Sequence, residues 1–438
     1  MRLMILLAVA GSLANGQQTL ELTLKRAVEI AAAPDGAARL RLMRESEEQA
    51  RQRERQALAA LLPQVEGSYT VRSFTQNLQA FGLRFGEGLP VQIPSFVGPV
   101  NIQDARAAAS LSAFDLAAIR RWKAAKAMTA AAGQEVQAAR AQSEAAAARA
   151  YFNALRAEAA VQAAEANVAL AERVLRRARS QKEAGTGTGM DVTRAEVQAS
   201  QEAQRLVVAR EERRTAVLNL LRVINADLAT DVRLTEPMEW QPAEIPDLAQ
   251  ALAASKELRP EWKAQLARER AAEMNRRAAG AERIPSARFF GDYGVIGAST
   301  AVLLPTRSAG ITVQIPLWDG GRRDARRAEA RSAARAETVR TRDVAQQVEL
   351  EIRVALEALK SAENQVAVAR QTLALAEREL EQADRRVEAG VAAGLEVTEA
   401  QARVARARQN EVASVFRQKT ARIDLAVAVG NLDVLLSH

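Results

Sequence analysis

Apolar residues recur at alternating spacings of four and three between positions 348 and 380 of the chain. This is the heptad pattern of a helix whose apolar seam packs against a partner in a coiled coil. We therefore predict that the long helices of this chain pack as coiled coils. The seam consists of Val348, Ile352, Ala355, Leu359, Ala362, Val366, Ala369, Leu373, Ala376 and Leu380.

Helices are predicted where this periodicity continues without Pro, and their ends are set by Pro and Gly. The longest predicted helix runs from 116 to about 182 and would measure roughly 100 Å at 1.5 Å per residue. The other predicted helices cover 20–62 with a bend at 34–36, a stretch that ends near 225–227, 247–280, 322–387, and a last stretch that ends near 429.

Two regions change to the alternation expected of β-strands. In the first, residues 64–86 are aromatic and β-branched, a Gly- and Pro-rich stretch at 85–100 predicts an exposed loop, and 104–115 predicts a weaker strand. In the second, strands are predicted within 285–318, where apolar positions from 311 to 315 alternate with polar ones. The fold class is therefore mainly α with a small β part.

One short stretch occurs twice: EAGTGTGMDVTRAEVQ at 183–198 and EAGVAAGLEVTEAQAR at 388–403, with seven of sixteen positions identical. In each copy a glycine, Gly185 or Gly390, suits a helix end in the left-handed conformation, and an acidic residue, Asp191 or Glu396, suits the start of the next helix. Each copy is predicted to form the tip of a long helical hairpin. The chain then divides into a first repeat at 17–229 (hairpin 116–229, tip 183–191), a linker at 230–245, and a second repeat at 246–438 (hairpin 321–430, tip 388–396).

The first sixteen residues have the pattern of a signal peptide, with Arg2 before an apolar stretch and small residues at a cleavage site. No later stretch approaches the roughly 20 apolar residues of a spanning helix. We expect an exported protein that has no helical membrane anchor.

Composition excludes several kinds of chemistry. The chain has no cysteine, and its only histidine is His438, so thiolate metal sites, disulfides and most general-base catalysis are not expected. The net charge of +8 is spread over alternating basic and acidic helix positions, with no recognisable nucleic-acid module. Acidic residues are scattered over helix surfaces, which argues against a hydrolase with catalytic carboxylates.

Four short strands cannot close a barrel, and open strand edges cannot lie in lipid. Three chains would supply twelve strands, which is within the range of outer-membrane barrels. The strands are therefore either part of an oligomeric barrel or a β cap on a coiled-coil rod. These residues alone leave both alternatives open.

The order of several motifs resembles the TolC-like outer-membrane efflux proteins over nearly the whole mature chain. The internal duplication, with its two Gly-x5-acidic-Val tips, is part of the resemblance. The other motifs are Leu22-Thr23-Leu24 with Ala27, Leu61-Leu62-Pro63, Phe114-Asp115, Arg259-Pro260-Glu261, and Ile315-Pro316-Leu317-Trp318-Asp319-Gly320-Gly321-Arg322.

The resemblance implies a homotrimer with a twelve-stranded β-barrel in the outer membrane and a helical tunnel in the periplasm. It implies the exit duct of a tripartite efflux pump or type I secretion system, which carries small molecules or proteins. A periplasmic adaptor, an inner-membrane transporter and outer-membrane lipids are the implied partners, and neither a cofactor nor a catalytic site is implied. The alternative is a periplasmic coiled-coil adaptor or scaffold without a pore, although adaptors usually have one hairpin and a membrane anchor.

The resemblance also assigns roles to residues at the tips. Glu396 and Glu399 match two acidic positions that line the periplasmic entrance, although both could equally be charges that stabilise a helix N-terminus. Asp191 matches the acidic member of a lock between the tips, whose usual Tyr and Arg partners fall here on Val387 and Ala392, which cannot make those bonds.

Four further tip residues lie where the adaptor is expected to dock, and all of them also suit plain turns. They are Gly185, Thr186, Gly390 and Val391. Trp318, at the end of a predicted strand, is either a packing residue or an aromatic residue at the membrane interface.

Overall fold

The fold is described by a computed structural model in which residues 20–82, 96–389, 391 and 394–431 are placed. The predicted signal peptide lies outside these residues. The helices of the described part are α1 (Leu24–Ala32), α2 (Ala38–Ala59), α3 (Leu116–Glu183), α4 (Gly189–Val223), α5 (Leu248–Leu258), α6 (Pro260–Ala281), α7 (Arg322–Glu388) and α8 (Gly394–Val429).

The interruptions between helices follow the residues that predicted them. The Pro34-Asp35-Gly36 sequence separates α1 from α2, as expected of residues that cannot continue a helix. Arg259 lies between α5 and α6 in extended conformation, because the residue before a proline is pushed away from helical geometry. The first break lies at the predicted bend, whereas the second interrupts residues 247–280, which were predicted as one continuous helix.

The heptad seam of α7 is confirmed. Eight of its ten predicted positions are buried and the other two, Leu373 and Leu380, are half-buried. The seam packs against α8 through Val397, Val404 and Leu425, together with alanines that allow the two helices to approach closely. A single helix therefore supplies a continuous buried stripe while most other side chains on α7 are exposed.

Four strands form one antiparallel sheet in the order β2-β3-β5-β6. The strands are β2 (Gln64–Asn77), β3 (Phe96–Phe114), β5 (Ser286–Ser299) and β6 (Val302–Gln314). The predicted strand regions are confirmed, but β3 is longer than expected.

Residues 96–103, predicted as loop or left unassigned, belong to β3, although Gly98 and Pro99 suggested a loop. Residues 96–102 pair only with β2, and the register shifts between Phe74 and Gln76, opposite this proline. A proline is tolerated there because no ladder hydrogen bond is required of it. The remainder of the predicted loop lies outside the described residues.

A short parallel pair was missed by the sequence analysis. Strand β1 (Leu20–Leu22), predicted as helix, pairs with β4 (Val232–Leu234), which lies in the predicted linker. Three-residue strands carry too few positions for a period to be recognised. The pair closes a core of α1, α3, α4 and α8 residues in which Leu22, Tyr151 and Leu220 are fully buried.

The chain forms two compact units, and each of them draws on both halves of the sequence. One unit contains 20–45, 134–263 and 343–431, and includes the two hairpin tips. The other contains 46–133 and 264–342, and includes the four-stranded sheet. None of the described helices has a stretch long and apolar enough to cross a membrane.

Candidate functional site

The first hairpin tip is shaped by a glycine at the end of α3. Gly185 has φ +74°, a conformation that only glycine adopts without strain. Its N–H donates to the Lys182 carbonyl at 3.1 Å, and the Thr186 N–H donates to the Gln181 carbonyl at 2.9 Å. These two bonds form a Schellman motif, which satisfies carbonyls that the helix end would leave unpaired.

The next helix, α4, starts with a capping box between Thr188 and Asp191. The Asp191 N–H donates to the Thr188 hydroxyl at 3.2 Å, and the Thr188 N–H donates back to the Asp191 carboxylate at 3.2 Å. The Thr188 hydroxyl also donates to this carboxylate at 2.6 Å. Asp191, predicted as part of a lock between the tips, is therefore held within its own hairpin.

The second tip ends its helix with the same hydrogen bond as the first. The Val391 N–H donates to the Arg386 carbonyl at 3.0 Å, and these two residues occupy the positions of Thr186 and Gln181 in the duplicated stretch. The sequence duplication is thus also a duplication of local structure. Gly390 and Ala392 lie outside the described residues.

Both carboxylates predicted to line the entrance are on the exposed face of α8, one turn apart. Glu396 lies 3.3 Å from the guanidinium of Arg386, on the preceding helix. Glu399 lies 3.8 Å from Arg403, whose closer partner is Glu379 at 2.8 Å. Glu396 is therefore partly neutralised across the tip, while Glu399 competes for a cation that another carboxylate holds more closely.

The sequence analysis did not identify Arg386 and Arg403 as partners of these carboxylates. Arg403 follows Glu399 at the i,i+4 spacing, a signal that would have identified it. Arg386 pairs with Glu396 across the turn, where the sequence separation of ten carries no helical periodicity.

The two hairpins touch each other close to their tips. Arg177 of α3 lies 3.4 Å from Asp384 of α7. Val174 of α3 packs against a cluster of α7 and α8 residues that contains Val397, and Val387 packs against the same cluster. Val387 cannot form a polar lock, as the sequence predicted, but it contributes an apolar contact at the same level.

An exposed apolar surface is present at the tips. Met190, Leu395 and Val391 are exposed, the last to 71%, and Gly185 and Thr186 are exposed beside Met190. Exposed apolar side chains at a turn contribute little to the stability of the fold.

The four-stranded sheet has one mainly apolar face and one mixed face, on which Phe290 and Leu304 are exposed among polar side chains. Its register places large exposed apolar side chains on the first face, with the polar residues Gln103 and Arg307 among them. They are Val65, Tyr69, Val71, Phe289, Tyr293, Ile311 and Val313.

The opposite face carries a polar network that joins three strands. The Arg106 guanidinium lies 2.7 Å from Asp104 and 2.9 Å from Asp292, and Ser308 donates a hydrogen bond to Asp292. Gly294 lies opposite Arg106, where a Cβ atom would be 2.4 Å from the Arg106 Cβ. A glycine is therefore required at that position of the ladder.

Comparison with known proteins agrees with this architecture. Residues 250–431 match the family model described as outer membrane efflux protein. No curated protein matches the chain.

The fold is shared with solved outer-membrane channels. The chain is similar to the CmeC outer membrane channel of Campylobacter jejuni, with a TM-score of 0.81 and 18% identity, covering 98% of this chain and 94% of that one. It is also similar to the outer membrane protein VceC of Vibrio cholerae (TM-score 0.79, 18% identity, 93% and 96% coverage). The MtrE outer membrane channel of Neisseria gonorrhoeae is similar as well, with a TM-score of 0.75 and 20% identity, covering 93% of this chain and 89% of that one. The resemblance to TolC-like efflux proteins is thereby confirmed.

Proposed function

We propose that three copies of this protein form an outer-membrane channel, the exit duct of an efflux or secretion system for small molecules or proteins. The match of residues 250–431 to the efflux family model supports the role and the location. The fold shared over almost the whole chain with outer-membrane channels supports the architecture. Such a duct breaks no bond, so its chemistry consists of a gate and a filter.

The sheet carries the proposal. Strands β2 and β6 are edge strands, each paired on one side only among the described residues, and one face of the sheet is mainly apolar. A sheet with an apolar face can lie in lipid only if its edges are closed by further strands. Three copies joined β6 to β2 give a closed ring of twelve strands, with the apolar faces outward and the Arg106 network inside.

The tips supply the proposed gate and the proposed docking surface. Glu396 and Glu399 would form a cation-attracting ring, because three-fold symmetry places three copies of each around one entrance. The Arg177–Asp384 pair and the apolar contact of Val174 would hold the two hairpins together in the closed state.

The exposed apolar tip surface would receive a hairpin of a periplasmic adaptor. Its exposed members include Gly185, Thr186 and Val391, with Gly390 next to them in the sequence. An inner-membrane transporter would supply the energy for export.

Disulfide cross-linking tests the closed ring directly, because the chain has no cysteine and any disulfide must come from introduced residues. The register aligns Thr70 of β2 with Leu304 of β6 across the sheet. These positions are three strand spacings apart, roughly 14 Å, which is too far for a disulfide within one chain. Because barrel closure shifts the register, Thr70→Cys is combined in turn with Leu304→Cys, Thr306→Cys and Ser308→Cys.

We expect at least one of these double variants to form a covalent trimer on oxidation and to return to monomers on reduction. The matched control is Val71→Cys with Gln103→Cys, which are directly paired within the chain and should give only an intrachain disulfide. The closed ring would be refuted if the control forms its disulfide while none of the three β2–β6 double variants forms a disulfide between chains.

A further inference from the structure

Basic residues are concentrated in the compact unit that contains the sheet. Its segments, 46–133 and 264–342, hold 25 Lys and Arg against 15 Asp and Glu. The resulting net charge of +10 exceeds the +8 of the whole chain, so the other unit is slightly acidic. The alternation of charges predicted for the helices therefore does not hold uniformly along the chain.

The excess lies where the helices meet the sheet. The register places the start of β2, the end of β3, the start of β5 and the end of β6 at one edge. Helices α2, α3, α6 and α7 all begin or end at this edge. Helices α3, α6 and α7 lie side by side there, since Arg121 of α3 and Arg326 of α7 both contact Glu282, just after α6, at 3.4 and 3.5 Å.

The acidic residues at this edge do not balance the arginines. Glu282 is shared between two guanidiniums, and Asp319 is shared between Arg322 at 3.7 Å and Arg323 at 3.5 Å. Arg327 has no ion pair within the described residues. We refer to Arg121, Arg322, Arg323, Arg326 and Arg327 as the basic collar.

A ring of exposed apolar side chains adjoins the basic collar. Leu317 and Trp318, between β6 and α7, are 92% and 88% exposed. Ile315, Leu62 and Ile284 are also exposed at this edge of the sheet. A tryptophan and aliphatic side chains next to excess arginines, at the end of an apolar sheet face, have the chemistry of a membrane interface.

We propose that the basic collar binds the phosphate groups of acidic phospholipids in the leaflet that borders this edge of the sheet. The proposal rests on the proposed outer-membrane function. Guanidinium groups match phosphate oxygens in bidentate geometry, and a negatively charged leaflet attracts arginines that outnumber the carboxylates they share. The apolar ring enters the acyl region, which places the basic collar at headgroup depth.

The test uses Trp318 as a reporter. In the variant Trp122→Phe/Trp240→Phe/Trp262→Phe, Trp318 is the remaining tryptophan of the chain. The protein is reconstituted into phosphatidylcholine vesicles that contain brominated phosphatidylglycerol or brominated phosphatidylcholine at equal mole fraction, and fluorescence quenching by each lipid is measured. Native mass spectrometry of the unsubstituted protein gives the same lipid preference without the Phe substitutions.

We expect phosphatidylglycerol to be preferred roughly three- to fivefold at low salt, and less at high salt. In Arg322→Gln/Arg326→Gln/Arg327→Gln the preference should fall to about one. This variant leaves Asp319 with Arg323 and Glu282 with Arg121, so no carboxylate loses its last partner.

The matched control removes three charges elsewhere, in Arg173→Gln/Arg214→Gln/Arg222→Gln. These arginines are exposed and have no ion pair within the described residues, so the preference should persist. If the protein floats with vesicles but both lipids quench Trp318 equally, the proposed binding of acidic phospholipids by the basic collar is wrong. The proposed channel function is not affected by that result. A folded protein that does not float with any vesicle would overturn the proposed function itself.

Discussion

Removal of the positive charge of Arg386 should make the proposed gate more selective for cations. The guanidinium lies 3.3 Å from Glu396, so it neutralises part of the charge that the ring presents to a passing ion. Arg386→Gln leaves Glu396 in place without its partner. Glu396→Gln has the opposite effect, because it leaves the arginine without a carboxylate.

The magnitude follows from Coulomb's law. A unit charge about 6 Å from an ion changes its energy by ~0.7 kcal/mol at the dielectric constant of water, and three symmetric copies by ~2 kcal/mol. Screening at 0.1 M salt, with a Debye length of about 10 Å, reduces this to ~1.1 kcal/mol. The permeability to cations should therefore rise, and the permeability to anions fall, each by roughly five- to tenfold. At 1 M salt, where the Debye length is about 3 Å, each of these changes should shrink to less than about twofold.

The assay is the reversal potential of single channels in a planar bilayer under a KCl gradient. Arg385→Gln is the matched control, because Arg385 is next to Arg386 in the chain but pairs with Glu381 instead. Arg386→Gln should shift the potential toward that of a cation-selective pore, and Glu396→Gln should shift it the other way. A pore whose selectivity at 0.1 M salt is unchanged, or lowered, by Arg386→Gln would refute the assignment of the ring to Glu396.

Three further predictions concern stability. Leu359→Ala should destabilise the protein by about 2–5 kcal/mol, because Leu359 is fully buried in the seam. Leu350→Ala, at an exposed position of the same helix, should have little effect. Urea unfolding followed by circular dichroism compares the two variants. Thr188→Val should cost about 1 kcal/mol by removing the capping hydroxyl, while Thr188→Ser should restore it, and equal midpoints for the two would contradict the capping box. Hydrogen bonds, first from Arg276, lower the pKa of Glu273 to about 2, so its stabilisation is present above pH 4.5 and is lost as the pH falls to about 2. The melting temperature of Glu273→Gln should accordingly lie below that of the native chain at pH 6 and match it at pH 2.

Helices and long strands could be predicted because their periods extend over many residues. The α7 seam follows from its heptads, whereas the break between α5 and α6 at Pro260 was not predicted, because the helical pattern of 247–280 continues on both sides of the proline. The segments whose structure was predicted wrongly are either short or contain residues that favour different structures. The β1–β4 pair has three residues per strand, and the first part of β3 contains Gly98 and Pro99, which locally indicate a loop while the pairing with β2 makes them strand.

The tip residues could be identified from the duplication, but the arginine partner of Glu396 and the ion pair between the hairpins could not. Glu396 meets Arg386 only because the chain reverses between them, and Arg177 meets Asp384 only because two hairpins lie side by side. A single sequence carries no period for such contacts. The roles assigned to Glu396, Glu399 and Asp191 remain predictions, now with named partners that make them testable.

Two differences between the copies of the tip account for the different partners of Asp191 and Glu396. In the first copy the hydroxyl of Thr188 binds Asp191 and fixes it at the start of α4. The corresponding residue of the second copy is Ala393, which has no hydroxyl. Glu396, the counterpart of Asp191, therefore has no such capping partner and pairs instead with Arg386, where the first copy has the uncharged Gln181. In the first tip the carboxylate thus caps the start of a helix. In the second tip it is exposed and forms an ion pair with one arginine. In the proposed gate, the charge of Glu396 is therefore tuned by an adjacent cation, whereas Asp191 is held by a hydroxyl.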